Sequence, residues 1–91
     1  LKIRIDGRET NGQVMLTIFR AMCNRVVECG LPKPVESCMI DALEASCKDI
    51  RCDAPFAEDR HEYSECARAY ATFACDKALA GVMPPSCPGN D

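Results

Sequence analysis

The residues with the most chemistry available to them are the eight cysteines, Cys23, Cys29, Cys38, Cys47, Cys52, Cys66, Cys75 and Cys87. A thiolate can serve as nucleophile, metal ligand or half of a disulfide, and spacing separates these roles. The gaps run 5, 8, 8, 4, 13, 8 and 11 intervening residues, so no C-x-x-C pair occurs. That pattern disfavours a zinc site, a thioredoxin-type redox pair and covalently attached c-type haem. A disulfide framework in an oxidising compartment is the expected use.

The single histidine, His61, sits among Glu58, Glu62 and Glu65. On a helix Glu58 and Glu65 would flank it, a weak metal or pH-sensitive patch in principle. A solvated helix start explains the same residues, and there is no second imidazole for a two-His site. The acidic pairs Glu58 with Asp59 and Asp49 with Asp53 lack the apolar setting that poises a general acid. No Gly-rich phosphate loop, calcium-loop pattern or N-x-[ST] acceptor is present. The expectation is therefore a non-enzymatic protein with no cofactor and no metal.

These residues need a scaffold, and 91 residues allow one domain with a thin core. Tryptophan is absent and the aromatics are Phe19, Phe56, Phe73, Tyr63 and Tyr70. Cross-links compensate for such a core by restricting the unfolded chain. The formal net charge of -3 disfavours nucleic acid and anionic membrane as partners. It is unevenly spread, +3 over residues 1 to 25 and -6 over the rest. A chain that starts at Leu1 without an apolar leader is expected to be a mature exported form, secreted, cell-surface or periplasmic. It has no run long enough for membrane insertion.

Leu1, Ile3 and Ile5 alternate with Lys2 and Arg4, the period of a half-buried strand, so residues 1–9 are expected to form an extended N-terminal arm and 10–91 the helical domain. Thr10, Asn11 and Gly12 supply N-cap chemistry for a first helix from Gln13. Its apolar stripe is Met15, Ile18, Phe19, Met22, Val26 and Cys29, closed by Gly30. GLPKP stops that helix, and a second runs from Pro34 to Ser46 with Val35, Cys38, Met39, Ala42, Leu43 and Cys47 on one face. A third begins near Ala57 to Asp59 and is expected to continue, with a kink near Cys75, to Leu79 or Ala80. The methionines read as core filler, with an adaptable groove as the alternative. The fold class is all-α: a small disulfide-stapled bundle of three main helices plus the arm.

Eight cysteines admit roughly a hundred connectivities, and spacing alone does not choose. Cys23 with Cys29 and Cys66 with Cys75 are excluded because each would close inside one helix. The working set is Cys29 with Cys38, Cys23 with Cys47, Cys52 with Cys66, and Cys75 with Cys87.

The segments VVECG, VESCMIDALEASC and YATFACDKALAGVMPPSC resemble the small cysteine-rich exported proteins and lipoproteins of myxobacterial type, over roughly residues 23 to 87. The resemblance implies export and disulfides, with no activity assigned to any residue. It does not extend to residues 1–12, and no lipidation cysteine precedes Cys23. The leading expectation for function is a structural or assembly protein that contacts itself or another exported protein, with Leu1, Lys2, Ile3, Arg4 and Ile5 adding a strand to a partner's sheet edge. The alternative is a secreted binding module: an inhibitor, a toxin-like factor or a carrier of a small apolar ligand in a Met-lined groove.

Overall fold

Thr10 opens the first helix with a capping box: its Oγ1 accepts from the Gln13 backbone N–H at 3.2 Å, and Gln13 Oε1 accepts from the Thr10 N–H at 2.8 Å. In the computed structural model, which describes residues 9–57 and 60–87, helix α1 spans Asn11–Glu28. It starts two residues earlier than the pattern implies, because a loop satisfies its first donors. The Asn11 N–H donates to Ala54 O at 2.9 Å and the Gly12 N–H to Cys52 O at 2.8 Å. Gly12 permits this approach, since a Cβ there would meet the Cys52 oxygen at 3.1 Å. At the other end Gly30 (φ 115°) completes a Schellman motif, with Gly30 N–H donating to Val27 O and Leu31 N–H to Val26 O.

Helix α2 spans Val35–Cys47, with Pro34 as its N-cap rather than its first residue. Helix α3 spans Arg60–Ala69 and runs into a 3-10 turn at Tyr70–Thr72. The expected single third helix is then broken outright. Phe73 and Ala74 are extended (ψ 143° and 134°), and a separate short helix, α4, spans Cys75–Leu79. Arg25 explains the break without Gly or Pro, because its Nε donates to the Phe73 carbonyl at 2.7 Å and supplies from α1 the partner a continuous helix would have supplied. A second Schellman motif at Gly81 (φ 85°) ends α4.

Helix α1 is the hub, packing against α2, α3, the 3-10 turn and α4. Its buried face is Val14, Ile18, Phe19, Cys23 and Val26, while Arg20, Asn24 and Glu28 face solvent as their spacing requires. Two apolar clusters result. One joins Ile18 and Phe19 to Cys66, Tyr70 and Cys87; the other joins Cys23 and Val26 to Cys38, Met39 and Ala78. The all-α, disulfide-stapled class holds. Among the described residues the only strand-like pairing is a bridge between Thr10 and Pro55.

All eight cysteines are paired, but none of the four expected pairs forms. The bridges are Cys23–Cys38, Cys29–Cys75, Cys47–Cys52 and Cys66–Cys87. Helix register explains the first correction. Cys23 lies five residues before the end of α1 and Cys38 three residues into α2, so they face each other across the antiparallel pair. Cys29 lies past the end of α1 and Cys47 at the far end of α2, so neither Cys29 with Cys38 nor Cys23 with Cys47 is in register. The break at Phe73 turns Cys75 toward Cys29 (Cα–Cα 5.4 Å), which removes it from Cys87. The 48–51 turn reverses the chain and returns Cys52 to Cys47 (Cα–Cα 5.5 Å) instead of Cys66. Cys66 is left for the tail, where Pro84 and Cys87 are buried.

Candidate functional site

The staples hold the helices around an apolar cavity of about 600 Å3, inside the ~300–1,000 Å3 range of small-molecule sites. Along α1 its wall is Met15, Ile18, Phe19 and Met22, at i, i+3, i+4 and i+7 on one helix face, with Asn11 one turn earlier. Phe56, Tyr63, Cys66 and Tyr70 form the wall contributed by α3 and the chain before it. Ala78, Val82, Met83 and Cys87 close the side toward α4 and the tail, and Ser46 in the last turn of α2 supplies the lip together with Asp49 and Ile50 after it.

Each wall has an identifiable support. The Cys66–Cys87 bridge binds tail to α3, Cys29–Cys75 sets α4 against the end of α1, and Cys47–Cys52 closes the loop carrying Asp49 and Ile50. That loop is tied to the start of α1 as well, where Asn11 Nδ2 donates to Arg51 O at 2.8 Å. Phe56 packs edge-on against Tyr63 with centroids 5.0 Å apart, and Tyr70 edge-on against Phe73 at 6.0 Å. Burial raises the Tyr70 phenol above its ordinary pKa of 10.0.

Ile50, Val82 and Met83 are 40%, 47% and 39% exposed although all three are apolar and border the cavity. The cavity thus opens through a rim that is apolar at Ile50, Val82 and Met83 and polar at Asp49. Its lining is apolar, with polar groups only at Asn11, Ser46, Asp49 and the two tyrosines. A second recess, between Ala21, Asn24, Arg25, Glu28, Ala67 and Ala71, is smaller and shallower. Its one cation is occupied: Arg25 binds Phe73 O and pairs with Glu28 at 2.8 Å.

The residues singled out from sequence fall in three places. Cys66 and Cys87 are cavity walls as well as staples; the other six cysteines are staples. The arm residues Leu1, Lys2, Ile3, Arg4 and Ile5 lie outside the described residues. His61 is exposed in the first turn of α3, and among the described residues no three His, Cys, Asp or Glu side chains converge on a metal position. The methionines divide: Met39 is core, whereas Met15, Met22 and Met83 border the cavity. Sequence reasoning missed the lip (Asn11, Ser46, Asp49, Ile50) and the tail wall (Val82, Met83). The available signal was Ile50, Val82 and Met83, apolar residues in segments with no helical period; the polar Asn11, Ser46 and Asp49 gave none.

No described helix is long and apolar enough to cross a membrane. The chain matches no protein-family model, no curated protein and no solved structure.

Proposed function

We propose that this chain is an exported, non-enzymatic binding module that carries a small apolar ligand between its helices. The observation that carries the reading is the cavity: about 600 Å3, walled by Met, Ile, Phe and Tyr side chains, and opening through Ile50, Val82 and Met83. An apolar chain seated there would take these side chains out of water, worth about 25 cal/mol per Å2 of apolar surface. Four disulfides support export, since they persist in oxidising compartments, and the likeness of residues 23 to 87 to the myxobacterial-type exported proteins points the same way.

The test is a homologous series of straight-chain alcohols competing with the uncharged fluorophore N-phenyl-1-naphthylamine. Each added methylene is worth about 0.8 kcal/mol, a factor of about four in affinity, until the cavity is full. Plugging variants Ser46→Trp and Val82→Trp, both at solvent-reachable positions, should abolish displacement while leaving the circular dichroism spectrum unchanged. Probe binding that is insensitive to both plugs would sink the reading.

One observation favours assembly as a second reading. Thr10 forms an isolated antiparallel bridge with Pro55, the Phe56 N–H donates to Glu9 O at 2.6 Å and Glu9 is ion-paired to Arg60. Thr10 itself has an extended backbone (φ -84°, ψ 162°), the geometry that strand addition by residues 1–5 to another exported protein would continue. Light scattering on full-length and 1–8-trimmed protein decides it: a monomer in both cases removes self-assembly.

A further inference from the structure

The cavity is apolar along its length and polar at one end, and that asymmetry specifies its ligand more narrowly. Its α1 wall runs from Asn11 to Met22, eleven residues and therefore about 16 Å. Apart from the two tyrosine hydroxyls, polar groups gather where α1 begins and α2 ends, namely Asn11, Ser46 and Asp49, and the opposite end at Met22 is apolar. This is the shape of a single-chain amphiphile.

The polar end is rich in acceptors. Asn11 commits its Nδ2 to Arg51 O, which leaves Oδ1 without a partner among the described residues. The Asp49 carboxylate is exposed and has no ion pair among them; its neighbour Arg51 pairs with Asp53 at 3.6 Å instead. Lys48 precedes Asp49 in the chain but does not border the cavity, and no described lysine or arginine does. A carboxylate or phosphate head group would meet the like charge of Asp49, with only the Ser46 hydroxyl and the second Nδ2 hydrogen of Asn11 to donate to it, whereas an ammonium or hydroxyl would meet Asn11 Oδ1 and the Asp49 carboxylate.

We infer that the ligand is a single apolar chain ending in a hydrogen-bond donor without negative charge, an amine or an alcohol, with Asn11, Ser46 and Asp49 around its head and Met22 near its tail. This inference rests on the apolar-ligand reading and narrows it. Three ten-carbon probes, decylamine, 1-decanol and decanoate, compete with N-phenyl-1-naphthylamine at neutral pH and low salt.

The expected order is amine, alcohol, carboxylate, with the amine about threefold to tenfold ahead of the carboxylate, as befits an exposed charge. Asp49→Asn should shrink that ratio and Asp49→Lys reverse it, with the circular dichroism spectrum unchanged. High salt should compress the ratio in the wild type. Equal binding of all three probes, or a ratio indifferent to both Asp49 substitutions, overturns the head-group assignment and leaves the apolar cavity standing. Failure of every probe to displace the fluorophore overturns both.

Discussion

Removing the Cys29–Cys75 bridge by the double substitution Cys29→Ala and Cys75→Ala isolates the chain-entropy contribution of a staple, because little packing goes with it. Cys75 is exposed and Cys29 half-buried, whereas Cys23 is 0% exposed and its loss would add a cavity cost. The bridge spans 46 residues, the longest of the four. Loop-closure entropy of -2.1 - 1.5R ln n cal/mol/K then gives about 4 kcal/mol at 25 °C. The Cys47–Cys52 bridge spans 5 residues and gives about 2 kcal/mol on the same basis. Against a total stability of about 5–15 kcal/mol, the long-bridge variant should remain folded but much weakened. Guanidinium unfolding followed at 222 nm reads the loss. It also reads the m-value, which should rise because an uncrosslinked unfolded chain exposes more surface. If the Cys47/Cys52 double variant costs as much as the Cys29/Cys75 variant, or the latter costs under about 1 kcal/mol with m unchanged, then the connectivity or the entropic argument is wrong.

Three further outcomes are expected. Thr10→Ala removes the capping box of the hub helix and should cost about 1 kcal/mol, roughly 5 °C in Tm by calorimetry. Tyr70→Phe should change the alkaline limb of stability. The buried phenol holds its proton to a higher pH than the unfolded chain does, so the wild type keeps full stability below pH 10.0 and loses it as pH rises further. Urea midpoints for wild type and variant measured across that range should diverge, and parallel curves would show that Tyr70 is not desolvated. In the alcohol series, affinity should climb about fourfold per methylene and then level off at one chain length. A series with no plateau would indicate surface adsorption or micelles instead of an enclosed site.

The helices were legible where local chemistry decides them. Thr10 with Gln13, and Gly30 at φ 115°, mark the ends of α1, and the apolar stripe of α2 packs as its period requires. The break after Thr72 was not legible. YATFA carries no Gly or Pro, and the cause is a side chain 48 residues away, Arg25 on the Phe73 carbonyl. With the chain extended at Phe73 and Ala74, Cys75 faces Cys29 instead of Cys87. The Cys23–Cys38 bridge was recoverable from helix register, but only with both helix ends known. Periodicity placed Met15 and Met22 on an interior face, and it carried no information on whether the facing helices touch or stand apart. The cavity exists because three staples fix the walls around that face, a property of tertiary spacing that no stripe of residues encodes. Its lip, Asp49 and Ile50, lies in a turn whose position depends on backbone bonds from Asn11 and Gly12 to residues 52 and 54.

The four methionines supply the most direct test of the central claim, that the cavity holds an apolar chain. Met15, Met22 and Met83 border it and Met39, a buried core residue, does not, so the protein carries its own internal control. With methyl-labelled methionine, NMR titration with 1-decanol should shift the Met15, Met22 and Met83 resonances saturably and give ligand-to-methyl Overhauser contacts to those three, with Met39 unmoved. Shifts that never saturate, or that move Met39 as much as the others, would contradict the account.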